Sequence, residues 1–392
     1  MKVISSEKLP IKLWLDDIEA GAMEQVKNLA NLPFAFKHIA IMPDSHQGYG
    51  MPIGGVLATQ NVIIPNAVGV DIGCGMCAVR TSLTEISQEE IKKLFGGSRE
   101  NHGGIRTVVP VGFSHHDKAQ DESLMPKLEG KYEVVEQEYK SALKQIGTLG
   151  GGNHFIEIQK GSDGFVWLMI HSGSRNFGLK NADFYNKKAI AINEKYFSAV
   201  PLKWELSFLP LDSEEGQMYI KEMKYCVDFA LANRKLMMDR ICDDVKNVFP
   251  QVVFEPMINI AHNYAKLENH FGQNVWVHRK GATLATDKTI GIIPGSQGTK
   301  SYIVKGLGNP ESFMSCSHGA GRKMGRNQAV KNLKLEDEIK SLNDKGIVHA
   351  IRNQKDLDEA PGAYKDIDIV MANQKDLVGV LVELTPLGVI KG

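Results

Sequence analysis

A chain of 392 residues, 43% of them hydrophobic, is long enough to bury a sizeable core as one large domain or two ordinary ones. Lys plus Arg and Asp plus Glu balance at 46 each, which excludes a protein that holds nucleic acid by bulk positive charge and leaves a local basic face open. Five thinly spread cysteines argue against a disulfide framework, and the absence of a signal-like N-terminus or of about 18 continuous apolar residues makes a cytoplasmic protein without membrane contact the expectation. In chain order, residues 17–31 carry the period of an amphipathic helix, and "HIAIM", "GGVLATQNVIIP" and "CAVRTSL" read as strands. Ser87 and Glu90 stand in capping-box spacing, so a helix begins at "SQEEIKKLF". The glycines, histidines and charges that follow suggest a mobile active-site loop over 98–126 or an insertion, with an ordinary surface excursion as the equal alternative. Helix returns from Lys127 to Ile146, "NHFIEIQ" and "FVWLMIHSGSR" alternate like neighbouring strands, and 213–249 holds a long helix whose Met237–Met238 pair suits core packing. Short strands and glycine turns fill the last third. With no repeat and no Pro- or Ser-rich linker, the expected fold is α+β, a single domain over 1–392 with mixed sheets flanked by helices.

The polar residues inside apolar runs are the informative ones. His154 ("GGGNHFIEI"), His171 ("WLMIHSGSR"), His262 ("INIAHNYAK"), His278 ("VWVHRKG") and His318 ("SCSHGAGR") share small or apolar neighbours. Any one of them alone suits a satisfied core histidine, but several beside glycine, where a ligand can come close to backbone, point to a site. "NAVGVDIGCGM" adds Asp71 and Cys74, completing the donor inventory of a transition-metal centre. A buried unpaired carboxylate or thiolate is costly, and a divalent cation removes that cost. Cys74 and Cys77 form a CxxC, yet a redox pair should open a helix and "AVRTSL" reads as strand, while a structural zinc wants a second close ligand pair that the sequence lacks. "PGSQGTKSY" and "HGAGR" offer backbone N–H groups beside a hydroxyl or guanidinium, as phosphate-cradling turns do, and no Walker A motif occurs.

"MPDSHQGYGMPIGGV", "AVGVDIGCGM", "LGGGNHFIE", "HSGSR", "PGSQGTKSYIVKGLG", "SCSHGAGR", "AYKDID" and the terminal "KG", in this order over nearly the whole chain, resemble the RtcB family of RNA-splicing and RNA-repair ligases. The resemblance implies a fold built around a central metal cleft. It also implies an enzyme that joins an RNA 3′-phosphate or 2′,3′-cyclic phosphate to a 5′-hydroxyl with GTP and Mn²⁺, two ions per chain. Carried over, it has Cys74 bridge the two ions, with His171 and His262 at one and Asp71 and His154 at the other. His318 would receive GMP. Asn153, Pro294, Gly295, Ser296, Ser301, Gly319, Ala320 and Gly321 would hold phosphates and ribose, Glu157 and Lys391 the guanine edge, and Tyr364 the base. On the residues alone, Glu157 reads as a strand residue, Tyr364 as a core aromatic and Lys391 as a frayed end. His46 would help bind the RNA end, and Arg175, Arg279, Lys280, Lys300, Arg322 and Arg326 are candidates for an RNA-facing patch, with a solvated helix face as the alternative for the run after Arg322. His278 reads as structural. The chain departs from the family in its compact segment between Arg80 and Gly147 and in "KMGRNQAVK", where a Ser-Arg pair is common. A monomer or weak dimer is expected. Two readings of other classes stand beside this one: a metal-dependent phosphodiesterase or phosphatase with no covalent nucleotide, and a non-catalytic RNA-end-binding relative.

Overall fold

The β-branched segments of the sequence find each other in two large sheets. The computed structural model describes residues 1–96 and 103–392. Six strands, in spatial order Lys2–Ile4, Ile11–Leu13, Ala35–His46, Ile53–Thr59, Gln273–Lys280 and Asn263–His270, form a mixed sheet in which the second and third run parallel and the other pairs antiparallel. Seven antiparallel strands form the other: Ile258–Ala261, Gly75–Arg80, Val166–Ser172, Phe155–Gly161, Val378–Lys391, Ser301–Gly306 and Ile290–Ile293. A small ladder, Ala282–Leu284 with Ser315–Ser317, follows directly on the mixed sheet's strand Gln273–Lys280 and leads to His318. The result is a single domain of mixed α/β content, as expected.

The strand Val166–Ser172 is buried at every residue because both faces are covered. Leu168 and Ile170 pack with Met237, Met238 and Ile241 of the helix Glu214–Val248, while Trp167 and Met169 pack with Ile292 and Ile303. That helix runs 35 residues, opens at Ser213, whose Oγ accepts from Gly216 N–H at 3.0 Å, and keeps Met237 and Met238 in the core. The capping box of Ser87 and Glu90 is present in both directions.

Several boundaries differ from the sequence reading. The first helix is Ala20–Ala30, and "GGVLATQNVIIP" is two strands, split at Asn61, whose φ of 61° turns the chain. "CAVRTSL" starts earlier and ends at Arg80. The helix expected from Lys127 begins only at Val134, because Gly130 at φ 74° interrupts the first turns, and Glu222 takes the cap by accepting from Val134 N–H at 2.9 Å. A helix that the sequence reading passed over, Arg175–Lys195, has no clear apolar stripe, and Gly178 lets it sit against the turn of Asp71 and Cys74, since a Cβ there would lie 3.1 Å from Ile72 N. Of the proposed loop 98–126, residues 98–102 lie outside the described ones. The remainder is tied down: Gly112 N–H donates to Gly150 O at 3.1 Å and Gln120 N–H to Leu143 O at 2.9 Å. Among the described residues, no helix is long and apolar enough to cross a membrane.

Candidate metal centre and nucleotide cleft

Four adjacent strands of the antiparallel sheet terminate at one place. Ala261 pairs with Gly75, Gly75 with Ser172 and His171 with Phe155, so Cys74, His154, His171 and His262 meet there although none neighbours another in sequence. Cys74 Sγ lies 3.3 Å from His171 Nε2 and 3.6 Å from His154 Nε2. His154 Nε2 is 3.1 Å from Asp71 Oδ2, and His171 Nε2 is 3.4 Å from His262 Nε2. Ligand atoms bonded to one cation at about 2.0–2.3 Å sit roughly 3.5 Å apart, so this spacing suits donors arranged around metal. Cys74, His154 and His171 are all buried, with their ligand atoms within 4.8 Å of one another. The glycines of "DIGCG" and "HSGSR" make the gathering feasible: a Cβ on Gly75 would lie 2.0 Å from Ile260 O, and one on Gly173 2.2 Å from Asp71 Oδ1.

The electrostatics of the cluster are set first by its burial. Burial, then the neighbouring Asp71, pushes the Cys74 thiol far up. Burial and the surrounding histidines push His171 and His262 far down. Asp71 is raised by burial, but the hydrogen bond and charge of His154 outweigh that and leave it below the ordinary carboxyl range. His171 Nδ1–H donates to Asn153 O at 3.1 Å, which aims Nε2 inward. Arg234, buried on the long helix, donates from Nη1 to Gly73 O at 2.9 Å and Ser172 O at 2.7 Å, tying the turn of Asp71 and Cys74 to the strand of His171. These residues fit a divalent metal.

Above the cluster is a cavity of about 680 Å³, whose lining includes His46, Asn153, Glu157, His171, Pro294, Ser296, His318, Tyr364 and Lys391. The His318 ring stands 4.8 Å from that of His262. Its Nδ1 is 2.6 Å from Asp44 Oδ2, which also accepts from the backbone N–H of His318 at 3.1 Å and of Gly319 at 3.2 Å. Burial raises the Asp44 carboxyl, and His318 more than offsets this, so Asp44 stays ionised. With Nδ1–H committed to a carboxylate, Nε2 keeps its lone pair for attack.

The sequence model of the tRNA-splicing ligase RtcB family matches residues 25–392. RNA-splicing ligase RtcB of Escherichia coli is 40% identical over 415 residues, covering 100% of this chain and 99% of the relative. The tRNA-splicing ligase RtcB of Thermococcus kodakarensis is 33% identical, covering 98% and 95%, and the RNA-splicing ligase RtcB of Mycobacterium tuberculosis is 32% identical, covering 94% and 100%. The chain belongs to the RtcB family.

Among the residues carried over from that family, Glu157 and Lys391 come together across paired strands, Phe155 opposite Lys391 and Glu157 opposite Val389. Burial pushes both toward their neutral forms: Glu157 rises to about 8, held back by Lys391 and Gln159, and Lys391 falls. Tyr364 donates its hydroxyl to Glu359 and lies beneath the Arg322 guanidinium. Ser301 is buried, its Oγ accepting from Gly295 N–H and from Gln159 Nε2–H at 3.1 Å each. The glycine turns are less open than their sequence suggests. The amides of Gly295, Ser296 and Gly319 already donate to Ser301, Thr299 and Asp44, which leaves Ala320 and Gly321 of the expected set.

The candidate RNA-facing patch needs correction at two positions. Arg279 is wholly buried, paired with Glu268 at 2.6 and 2.9 Å and donating to Phe313 O at 2.9 Å, so it has no surface to offer RNA. Lys280 is also buried and donates to the carbonyls of Tyr49 at 2.6 Å and Asn66 at 3.0 Å. Of the others, Arg175 donates to Thr148 Oγ1 and Gly112 O, and Lys300 sits in an exposed pair with Glu383. Arg322 and Arg326 line the cavity, both on Glu359. His278 is structural, as read: it accepts from Ile64 N–H at 3.0 Å within the core. Sequence reasoning overlooked Asp44, Glu359 and Arg234. The signal for Asp44 was its place in "IAIMPDSH", where a carboxylate sits inside an apolar run.

Arg279→Met should therefore destabilise the protein by roughly 3–5 kcal/mol, the usual cost of stranding one member of a buried ion pair. Thermal unfolding checks this, and an unchanged Tm with weakened RNA binding would restore the surface reading. Glu268, raised by burial but lowered further by Arg279, is held at about 2 against an ordinary 4.5. Its contribution is thus present above pH 4.5 and is lost as pH falls toward 2.

Proposed function

We propose that this protein is an RNA ligase that joins 3′-phosphate or 2′,3′-cyclic phosphate ends to 5′-hydroxyl ends, using GTP, through a GMP adduct on His318. The reading is supported chiefly by the Asp44-held His318 facing the metal-ligand cluster in the same cavity as Glu157 and Lys391. Asp71 and His154 would hold one manganese ion, His171 and His262 the second, and Cys74 both. Bound there, the metal supplies neutralisation of phosphate charge and polarisation of the phosphorus.

His318 Nε2 attacks the α-phosphorus of GTP, the bond to the bridging oxygen breaks, and pyrophosphate leaves. Asp44 balances the charge that the ring acquires with phosphorus on Nε2 and a proton on Nδ1. An oxygen of the RNA 3′-phosphate, freed by hydrolysis where the end is cyclic, then takes GMP from the ring to give RNA(3′)pp(5′)G. The 5′-hydroxyl attacks the RNA-side phosphorus and expels GMP. Arg322 and Arg326, beside the cavity, suit the RNA phosphates. We place the reaction in the cytoplasm, where all five cysteines, free in this structure, stay reduced, and in a monomer or weak dimer.

Incubation with GTP and Mn²⁺, without RNA, should add one GMP through an acid-labile, alkali-stable bond. Phosphoester hydrolysis with no such mass increment would hand the site to the phosphodiesterase reading. Guanine selection has its own test. Guanine N1–H and N2–H₂ donate, so Glu157 must give up its proton to accept both. Its carboxyl is raised to about 8, so GTP affinity should rise with pH, by up to about tenfold per unit below 8, and level off above it. Glu157→Gln should flatten that slope and reduce preference for GTP over ATP by about 1–3 kcal/mol. Titration calorimetry across pH 6.5 to 9 checks both, and a flat wild-type profile would remove Glu157 from the guanine edge.

A further inference from the structure

One segment of the cavity wall, Gln47 and Tyr49 beside Ile53, takes no part in the steps above. Its backbone is fastened from several sides. Gln25 exchanges two hydrogen bonds with Gly48, at 2.6 and 3.1 Å, and Gly50 N–H donates to Glu205 Oε2 at 3.0 Å. Lys280 Nζ donates to Tyr49 O at 2.6 Å, and that lysine is only 6% exposed. Burying an ammonium group is costly, and here its hydrogen bonds fix the loop's main chain. Tyr49 is nonetheless 67% exposed. A bare aromatic ring on an immobilised backbone is what a stacking platform requires, since little freedom is left to lose on binding. The platform stands close to the nucleophile. The segment begins three residues after Asp44, the anchor of His318, and Gly281 is flanked by Ile53 and His318, since a Cβ at that position would lie 2.3 Å from Ile53 Cγ2 and 3.1 Å from His318 Cε1.

We propose that Tyr49 stacks on the terminal nucleobase of an RNA end in the cavity, and that Lys280 is the residue that positions it. Stacking distinguishes little between bases, so the platform fixes the end while accepting any sequence. The inference rests on the ligase reading for its substrate, and binding can be read apart from chemistry.

RNA strands carrying 2-aminopurine at the 3′-terminal or the 5′-terminal nucleotide are titrated with protein without GTP, and fluorescence quenching is followed. Wild type should quench at least one of the two, Tyr49→Ala neither, and Tyr49→Phe as wild type does. In end joining, Tyr49→Ala should raise the KM for RNA about tenfold or more with kcat little changed. Lys280→Met should shift KM in the same direction, without the fall in kcat that a general loss of structure brings. Wild-type quenching and KM in Tyr49→Ala would overturn the platform. A tenfold slower GMP adduct in that variant would assign the ring to GTP and overturn it too. Absence of any adduct in wild type would defeat the ligase chemistry, while the quenching result still decides whether Tyr49 holds a base.

Discussion

His318→Ala should form no GMP adduct and join no ends while keeping its metal, and Asp44→Asn should slow adduct formation by roughly 10²–10⁴-fold. The second effect follows from what Asp44 Oδ2 does: it accepts from His318 Nδ1–H and from two backbone N–H groups, at 2.6, 3.1 and 3.2 Å. An asparagine amide can turn its carbonyl oxygen toward the same donors, so the ring keeps its orientation. It brings no charge, however, and the ring gains positive charge when Nε2 bonds phosphorus. The asparagine variant should therefore bind GTP nearly normally and fail at the chemical step. Intact-mass analysis over time reads the adduct, with metal content measured on the same samples. His278→Ala is the contrasting variant. It leaves Ile64 N–H without an acceptor in the core, so it should lower Tm yet keep adduct formation per folded molecule. An adduct in His318→Ala would move the nucleophile elsewhere.

The parts of this site that sequence could show are those whose chemistry stands out against their surroundings. Asp71, Cys74 and the histidines are polar groups in apolar, glycine-flanked runs, and such groups need a partner that sequence neighbours cannot provide. What sequence could not show is which arginine or lysine faces solvent. Arg279 and Lys280 look alike beside the structural His278, but Arg279 points to Glu268 on the adjacent strand and Lys280 to the backbone of another loop. Only the register of Asn263–His270 against Gln273–Lys280 decides this. Asp44 was obscured for a related reason, since its partner lies 274 residues away.

The fold follows the same division. Ser87 and Glu90 cap one another across three residues, so that helix start is legible locally. The 35-residue helix shows its length in the sequence because one stripe, from Tyr219 to Val245, stays buried, packing on the strands Ile258–Ala261, Gly75–Arg80 and Val166–Ser172. Arg175–Lys195 was illegible because its buried residues include Asn181, held by hydrogen bonding to Glu222, as well as apolar ones. The order of strands depends on pairings between distant segments, such as Ala261 with Gly75, that no local period encodes.

If two ions bind as proposed, Cys74→Ala should abolish metal binding at both positions, whereas His154→Ala or His262→Ala should mainly empty one. The spatial order of the donors supports this. Asp71 touches His154, His154 touches Cys74, Cys74 touches His171, and His171 touches His262, so the sulfur alone stands between the two halves. Two cations held by two ligands each, without a shared anion, would lie close together with only the Asp71 carboxylate to offset four positive charges, and a bridging thiolate supplies the missing negative charge. In the absence of cations, burial and Asp71 push the thiol far up, so metal binding must displace its proton, and manganese affinity should fall as pH is lowered. Cys74→Ser keeps a donor atom, but one that ionises much less readily, and should hold manganese weakly and only toward high pH. Metal counting on dialysed protein, with unfolding monitored in parallel, separates lost ligation from lost structure. Two full equivalents of Mn²⁺ in a folded Cys74→Ala protein would show that the sulfur is not shared. One equivalent, matching the count for His154→Ala or His262→Ala, would place Cys74 in one half alone.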